Sequence, residues 1–233
     1  RQGSADAADR AVAACEKALG PEHPAMPIAL DLLAQIYAAR AQFCRAENRW
    51  RRAESIAKKV LGEKHPCRVE ILNHWAELEV ARGRLDSADE LCRDAIDIAK
   101  ETLGAKHPST AAALRTYGRL EMARHAPDKA AVPLNEALVI EQETLGKEHP
   151  EVARTLAALA ARQQVAADYP TAESQYQRAL EISEGCLGRD HPEVARVLLD
   201  LARLDLDRNN LPQAAAYLKR ASSIEAETLV PYH

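Results

Sequence analysis

Histidines recur along this chain at a constant interval, and imidazole is both a common metal ligand and a general acid–base group. Successive members of the set lie 42 residues apart, and proline follows each of the first five. A metal site needs its ligands in one place, whereas residues one long period apart belong to neighbouring structural units. We therefore predict a loop or helix-capping role for these histidines, and no metal. The set is His23, His65, His107, His149, His191 and His233.

Other residue patterns that carry catalysis are missing from the sequence. It has no HExxH zinc motif, no GxSxG nucleophile motif, no glycine run that could hold a phosphate and no CxxC pair. The five cysteines are odd in number and scattered. This is typical of small apolar fillers in a reducing compartment, of which one or two would be exposed. We therefore expect no enzymatic activity and no cofactor.

Composition and charge argue against two further classes of partner. The 233 residues carry a formal net charge of −4, with a pI near 6.1, so no global field attracts nucleic acid or an anionic membrane. No stretch reaches the roughly 18 apolar residues of a membrane span, and the N-terminal residues lack the apolar core of a signal peptide. We expect no nucleic-acid or membrane partner and a cytoplasmic location.

The sequence Leu-Gly-x-x-His-Pro surrounds each of the first five histidines, as in residues 187–192. Glycine has no Cβ and adopts the left-handed conformation that closes a helix, whereas proline fits the first turn of the next helix. The residue before proline is pushed out of the helical region, which puts histidine at the N-cap position. The motif therefore predicts a helix end, a short loop and a new helix start.

Between these motifs, the spacing of apolar residues predicts two amphipathic helices per period, each of about 15–19 residues. Alanines at fixed phases would let paired helices approach closely, and Pro133 should bend one second helix near its N-terminal end. Since no pair buries its apolar stripe alone, the pairs must stack into one array without an internal domain boundary. The predicted fold is all-α with eleven helices: an orphan second helix in residues 1–20, then pairs in 23–64, 65–106, 107–148, 149–190 and 191–233.

Four aromatic residues could stack on nucleic-acid bases or pack in the interior. Trp75 and Tyr117 occupy the phase of apolar leucines in the other first helices, whereas Trp50 and Tyr176 lie on second helices. We expect all four to contribute to packing.

The sequence resembles tetratricopeptide repeats (TPRs) of the 42-residue kinesin-light-chain type over essentially its whole length. The resemblance rests on Leu-Gly-x-x-His-Pro-x-Val-Ala at 187–195, Leu-x-x-Leu-Ala at 156–160 and Ala-Leu-x-Ile at 179–182. It implies a right-handed superhelical solenoid whose first helices line a concave groove that binds peptides or partner proteins. Kinesin light chains tend to have Leu-Asn-Asn-Leu-Ala in the groove helix, and only Asn73 is retained here. We interpret the chain as a divergent relative and not as a motor light chain.

In the register that the resemblance implies, polar side chains of the first helices face the groove. The C-terminal part of the groove is basic. Since guanidinium groups form paired hydrogen bonds with carboxylates, an acidic peptide could dock there. Its N-terminal part is acidic or neutral, and His74 could hydrogen-bond a peptide backbone. Alternatively, the arginines pair with their own neighbours, as Arg203 could with Asp200 or Asp207. The predicted groove residues are Asn73, His74, Arg115, Arg119, Arg154, Arg196 and Arg203, with Asp31, Gln35, Glu70 and Glu77 in the acidic part.

The function that fits these features best is a non-enzymatic scaffold that binds a peptide or partner protein in its groove, with an acidic segment favoured by the basic end. Two alternatives stay open. The chain could be a regulatory or sensor segment of a larger signalling or effector protein, since the repeat phases are incomplete at both ends, or it could self-associate end to end. Helical-repeat RNA binding would need a basic inner face throughout, which the acidic first two units oppose.

Overall fold

A computed structural model describes the backbone of residues 2–229 and the side chains of residues 7–226. Within this range the chain is all-helical, without strands, and the helices are 14 to 19 residues long. The all-α prediction and the expected eleven helices are confirmed for the described residues. The helices are α1 (Gln2–Leu19), α2 (Met26–Ala39), α3 (Phe43–Ile56, continued by a π-helical turn at Ala57–Leu61), α4 (Cys67–Ala81), α5 (Leu85–Thr102), α6 (Pro108–Ala123), α7 (Pro127–Thr144), α8 (Pro150–Val165), α9 (Tyr169–Leu187), α10 (Pro192–Asp207) and α11 (Leu211–Leu229).

Three of the periodic histidines, His107, His149 and His191, are the N-cap residues of α6, α8 and α10, as predicted. The N-cap residues of α2 and α4 are instead Ala25 and Pro66, which follow His23 and His65. His233 lies outside the described residues. His149 has extended backbone angles (φ −77°, ψ 143°), and its Nδ1 accepts a hydrogen bond from the N–H of Glu151 at 3.2 Å. This satisfies one of the amide donors that a helix leaves unpaired in its first turn. His23, His65, His107 and His191 accept the same bond from the residue two positions ahead, at 3.1 to 3.2 Å.

The glycine of the motif adopts a different conformation from the one we expected. Its φ is positive, but Gly62 (φ 102°, ψ 161°) and Gly188 (φ 89°, ψ 157°) are extended and not left-handed helical. This region is accessible almost exclusively to glycine, because any Cβ collides with the backbone there. The left-handed helical angle occurs instead in the turn within each pair, at Ala41, Gly83, His125, Ala167 and Asn209, where φ is 56° to 72°.

The helices group into two compact units: unit 1 (Arg1–Arg124) holds α1 to α6, and unit 2 (His125–His233) holds α7 to α11. Trp50 is 1% exposed in the core of unit 1, and Tyr176 is 1% exposed in the core of unit 2, while Trp75 and Tyr117 are partly buried against apolar neighbours. The packing role of the four aromatic residues is therefore confirmed. The periodic alanines are at most 1% exposed: Ala46, Ala88, Ala130, Ala172 and Ala214, and Ala53, Ala95, Ala137, Ala179 and Ala221.

The cysteines are more exposed than we expected. Cys92 is buried, which raises its pKa to about 12, and Cys67 is half-buried. Cys15, Cys44 and Cys186 are exposed, so the expectation of one or two exposed thiols was wrong. In addition, no helix within the described range is long and apolar enough to cross a membrane.

An ion pair recurs where a second helix meets the first helix that follows it. An arginine at the C-terminal end of the first helix reaches back to a carboxylate near the start of the preceding second helix. At the junction of α7 and α8 both positions are alanine, Ala131 and Ala166. The pairs are Arg82–Glu47 at 3.0 Å and Arg124–Asp89 at 3.3 Å in unit 1, and Arg208–Glu173 at 2.7 Å in unit 2.

Candidate functional site

A buried carboxylate organises the first helices of unit 1. Asp31 on α2 is 6% exposed and accepts hydrogen bonds from Trp50 Nε1 at 2.7 Å and from Gln35 Nε2 at 2.9 Å. His74 on α4 brings its Nδ1 within 3.1 Å of both carboxylate oxygens. Because a carboxylate only accepts, Nδ1 carries the proton in this pair. The Asp31 side chain, which we predicted to lie in the groove, thus connects α2 to α3 and α4 through buried hydrogen bonds.

The pKa of His74 is raised by this environment. Burial is the largest single influence and lowers the pKa, but the hydrogen bond and charge of Asp31, together with the charges of Glu77 and Glu70, outweigh it. The cationic form of the imidazole is therefore favoured in the folded protein.

The His74 side chain is 31% exposed and lines a cleft of about 290 Å³ in unit 1. Gln35, Glu77 and Arg119 also line this cleft. Arg119 is 47% exposed, with its Nη1 3.9 Å from Glu77 Oε1, so the pair is loose. The cleft combines an imidazole, an amide, a carboxylate and a guanidinium group, which suits hydrogen bonding to a polar segment more than binding of an apolar one.

The repeat phase aligns Asn73 and Arg115 with Asp31, and all three side chains are buried. Asn73 is 8% exposed, and its Oδ1 has no hydrogen-bond partner among the described residues. Arg115 is 5% exposed. Only a small fraction of each of these side chains is therefore accessible from the surface, and their predicted contact with a ligand stays a prediction.

Unit 2 brings two of the predicted arginines together around one carboxylate. Arg196 on α10 donates from Nε and Nη2 to Glu193 Oε2 at 3.0 and 2.7 Å, and Arg154 on α8 donates from Nη2 to Glu193 Oε1 at 3.1 Å. Arg154 also donates to Glu151 at 2.8 Å. Burial alone would raise the pKa of Glu193, but the two guanidinium groups together lower it. The two arginine side chains are still 41% and 43% exposed.

Arg203, two turns beyond Arg196 on α10, is the most exposed of the predicted arginines. Its side chain is 73% exposed, and its Nη1 lies 4.0 Å from Asp200 Oδ1. Asp207, the other candidate partner, instead accepts a hydrogen bond from Gln164 at 2.6 Å. The alternative that arginines pair with their own neighbours thus describes Arg154 and Arg196 well, and Arg203 only weakly.

Sequence reasoning missed how the groove positions differ between repeats. Asp31 stands opposite Trp50, whereas the same two phases in unit 2 carry Ala157 and Tyr176. A buried indole N–H favours an acceptor, and only the repeat that has tryptophan at the phase of Trp50 has a carboxylate at the phase of Asp31. The presence of both an aspartate and a tryptophan at these two phases of one repeat could therefore have indicated, from the sequence alone, a structural role for Asp31.

Family models match most of the chain. A model described as tetratricopeptide repeat matches residues 67–140 and 163–224, and a second model with the same description matches residues 29–66. The comparison with curated proteins finds no match.

Several solved structures share the fold. BtubC (BKLC) from P. vanneervenii is 21% identical, with a TM-score of 0.72, and the match covers 100% of this chain and 93% of that one. A Podosopora anserina protein described as a kinesin light chain with nearly identical TPR-like repeats is 25% identical, with a TM-score of 0.62 and coverage of 90% and 99%. A Rap protein complexed with Competence and Sporulation Factor is 16% identical, with a TM-score of 0.75, and the match covers 87% of this chain and 54% of that one.

The likenesses at 21% and 16% identity support the fold alone. The family models together span more than half of the chain, and the described residues form eleven helices without strands, as in solved structures of such repeats. The chain belongs to the tetratricopeptide repeat family, as a divergent member of the kinesin-light-chain type.

Proposed function

We propose that this chain is a protein-interaction scaffold that binds a peptide segment of a partner protein on the exposed faces of its first helices. In unit 2 the preferred segment is acidic. The observation that carries the proposal is the pair of exposed guanidinium groups, Arg154 and Arg196, which consecutive first helices present around a single carboxylate.

The geometry around Glu193 leaves donor capacity for a ligand. A guanidinium group has five N–H donors, and Arg196 uses its Nε and one Nη on Glu193. A carboxylate of a partner can therefore join this cluster without displacing Glu193. Arg203, two turns along the same helix, offers a further exposed cation.

Selection and affinity measurement together test the proposal. A random peptide library is panned on the 1–233 chain, and the affinity of selected peptides is measured by fluorescence anisotropy. We expect peptides enriched in Asp and Glu, with binding that weakens as salt is added because exposed charges are screened. Replacing both arginines, as Arg154→Glu with Arg196→Glu, should weaken binding at least tenfold, which corresponds to about 1.4 kcal/mol.

A matched variant separates this site from net charge. Arg189→Glu changes an 81% exposed arginine in the loop before α10, and we expect it to leave the affinity within about twofold. Because the double variant reverses two charges and Arg189→Glu reverses one, a loss of binding free energy in Arg189→Glu about half that of the double variant would mean that only the overall charge matters. Unchanged binding in the double variant would assign the ligand to another surface.

A further inference from the structure

A cleft of about 300 Å³ lies between consecutive first helices of unit 1, and we name it the unit 1 cleft. Its walls come from α2, α4, the loop that follows α5 and the start of α6. The central wall, α4, is packed by α2 on one side and by α6 on the other. Three apolar and three polar residues of the lining are Ile28, Ile71 and Leu103, and Cys67, Glu70 and Ser109.

Glu70 is the carboxylate of this cleft that is available to a ligand. It is exposed on α4, and among the described residues its side chain has no hydrogen bond and no ion pair. The other carboxylate, Asp31, is 6% exposed and already accepts a hydrogen bond from Trp50 at 2.7 Å. Arg68, the arginine nearest to Glu70 in sequence, is 3% exposed and donates from Nε to Glu54 at 3.1 Å. Within the described part of the chain, Glu70 thus lines the cleft without a cation in contact.

The neighbouring polar groups of the cleft carry no formal charge near neutral pH. Burial raises the pKa of Cys67 to about 11, so its thiol stays protonated. The Nδ1 of His107 accepts a hydrogen bond from the N–H of Ser109 at 3.1 Å, and an imidazole nitrogen that accepts is unprotonated. The charge that the cleft offers to a ligand is therefore negative.

Unit 2 shows which groups occupy the same phases when the charges are balanced within the chain. Arg154 on α8 has the phase of Glu70, two periods further on. It donates to Glu151, three residues earlier on α8, at 2.8 Å and to Glu193 on α10 at 3.1 Å. A cation at this phase is therefore held between two carboxylates.

Unit 1 carries the reverse charge at this phase and lacks the charged partners. Cys67 has the phase of Glu151. Ser109 has the phase of Glu193. Both residues are small and both line the cleft, so neither fills the space beside Glu70 with a long side chain. The ion pair that unit 2 completes within the chain is therefore only half-made in unit 1, where the cation is missing.

The apolar wall of the cleft favours a cation that ends an aliphatic stem. Ile28 on α2 is 57% exposed, so a ligand can cover it, and Ile71 on α4 continues the apolar surface at 1% exposure. Lysine and arginine bury their methylene groups against such a surface and keep the charged head in a polar environment. The cleft volume lies at the lower end of the roughly 300–1,000 Å³ of small-molecule sites, which suits a single side chain.

We propose that the unit 1 cleft binds one arginine or lysine side chain of a partner's peptide segment, with the aliphatic stem against Ile28 and the cation on Glu70. The incoming cation takes the place in unit 1 that Arg154 has in unit 2. The class of ligand, a peptide segment, rests on the proposed function. The residues involved are separate from the Arg154–Glu193–Arg196 cluster, so either site can fail without the other.

Peptide selection with a depletion step isolates ligands of this cleft. A random peptide library is first passed over the Glu70→Gln variant of the 1–233 chain, which removes peptides that bind elsewhere, and the remainder is panned on wild type. We expect the selected peptides to be enriched in Arg and Lys. Replacing a selected arginine by citrulline, or a selected lysine by norleucine, removes the charge and should weaken binding about tenfold or more in fluorescence anisotropy.

Three variants of the chain, each checked for its fold by circular dichroism, locate the binding. Ser109→Arg supplies a guanidinium group beside Glu70 from the chain itself and should weaken binding about tenfold or more. Glu90→Gln, at an exposed position of α5 outside the cleft, is the matched control and should leave the affinity within about twofold. The double variant Arg154→Glu with Arg196→Glu should not weaken it, which separates this site from the one in unit 2.

The proposal is overturned if no peptide remains after depletion, or if the selected peptides bind without a basic residue. Unchanged binding to a folded Ser109→Arg variant would also overturn it, since the cleft would then not be the site. Equal weakening in Glu70→Gln and Glu90→Gln would reduce the effect to overall charge and refute a specific contact with Glu70.

Discussion

Replacing Asp31 with alanine removes the one carboxylate that three side chains of unit 1 share. Trp50, whose indole N–H donates to it at 2.7 Å, is 1% exposed and would keep a buried, unpaired donor. Such a donor costs about 1–3 kcal/mol. The bonds from Gln35 and His74 are only partly buried and add less. We expect Asp31→Ala to lower the free energy of unfolding by about 2–4 kcal/mol.

The amide variant separates the hydrogen bond from the charge. Asp31→Asn keeps an oxygen that accepts from Trp50 but loses the ionic attraction to His74, so we expect a loss of about 1 kcal/mol. Urea denaturation followed by circular dichroism measures both values without relying on the tryptophan as the reporter. Asp128→Ala is the matched control, because the Asp128 side chain is fully exposed and its loss should cost under about 0.5 kcal/mol.

The same pair predicts a dependence on pH. The pKa of His74 is raised in the folded protein, so the folded state binds this proton more tightly than the unfolded state does. The stabilisation is complete below the unfolded pKa of about 6.5 and is lost as the pH rises through the higher folded value. The stability difference between wild type and Asp31→Asn should therefore shrink as the pH rises above the unfolded value of about 6.5 and through the higher folded pKa of His74. A stability difference between wild type and Asp31→Asn that does not change with pH would refute this account of the Asp31–His74 pair. Equal losses of unfolding free energy in Asp31→Ala and Asp31→Asn would refute the role of the hydrogen bond from Trp50.

Two further pairs of variants test the helix boundaries by chemical or thermal unfolding. His149→Ala removes the Nδ1 acceptor at the start of α8 and should lower the free energy of unfolding by about 1 kcal/mol. His149→Asn keeps a capping acceptor and should retain most of that stability. An equal loss in both variants would exclude the cap as the cause. Gly188→Ala forces a Cβ into a backbone with φ 89° and ψ 157° and should destabilise by about 1–3 kcal/mol. Gly185→Ala, three residues earlier inside α9 and with open space around the added Cβ, should stabilise by about 0.5–1 kcal/mol. Finding the same sign for the two glycine variants would show that the conformations assigned to them are wrong.

The helix boundaries could be predicted because their causes are local. Proline at the first turn and histidine before it act through the backbone of the next two or three residues, so the motif alone was sufficient. The extended conformation of Gly188 was not predictable from these rules, since a positive φ is compatible with two values of ψ and the path of the loop decides between them. Two expectations stay predictions: that the repeats form one array without an internal domain boundary, and that Pro133 bends its helix.

The groove residues were harder to predict because their exposure depends on residues far away in the sequence. Asp31 is buried because Trp50 and His74 contact it, and these lie on two other helices. Arg115 has the same phase as Asp31 and is likewise buried, although an arginine is usually a surface residue. Arg154 and Arg196 were placed correctly on neighbouring helices, but Glu193 between them was not predicted. The repeat thus determines the backbone position of a side chain, while the residues packed around that side chain determine whether it is exposed to solvent.

The central claim is that the first helices of unit 2 hold an acidic partner segment through their arginines. The most direct measurement is modification of arginine by a dicarbonyl reagent, quantified by mass spectrometry with and without a selected acidic peptide. The account predicts that the peptide slows modification of Arg154 and Arg196 and leaves that of Arg189, which is 81% exposed outside this face, unchanged. Equal rates with and without peptide at Arg154 and Arg196, while the peptide is bound, would contradict it.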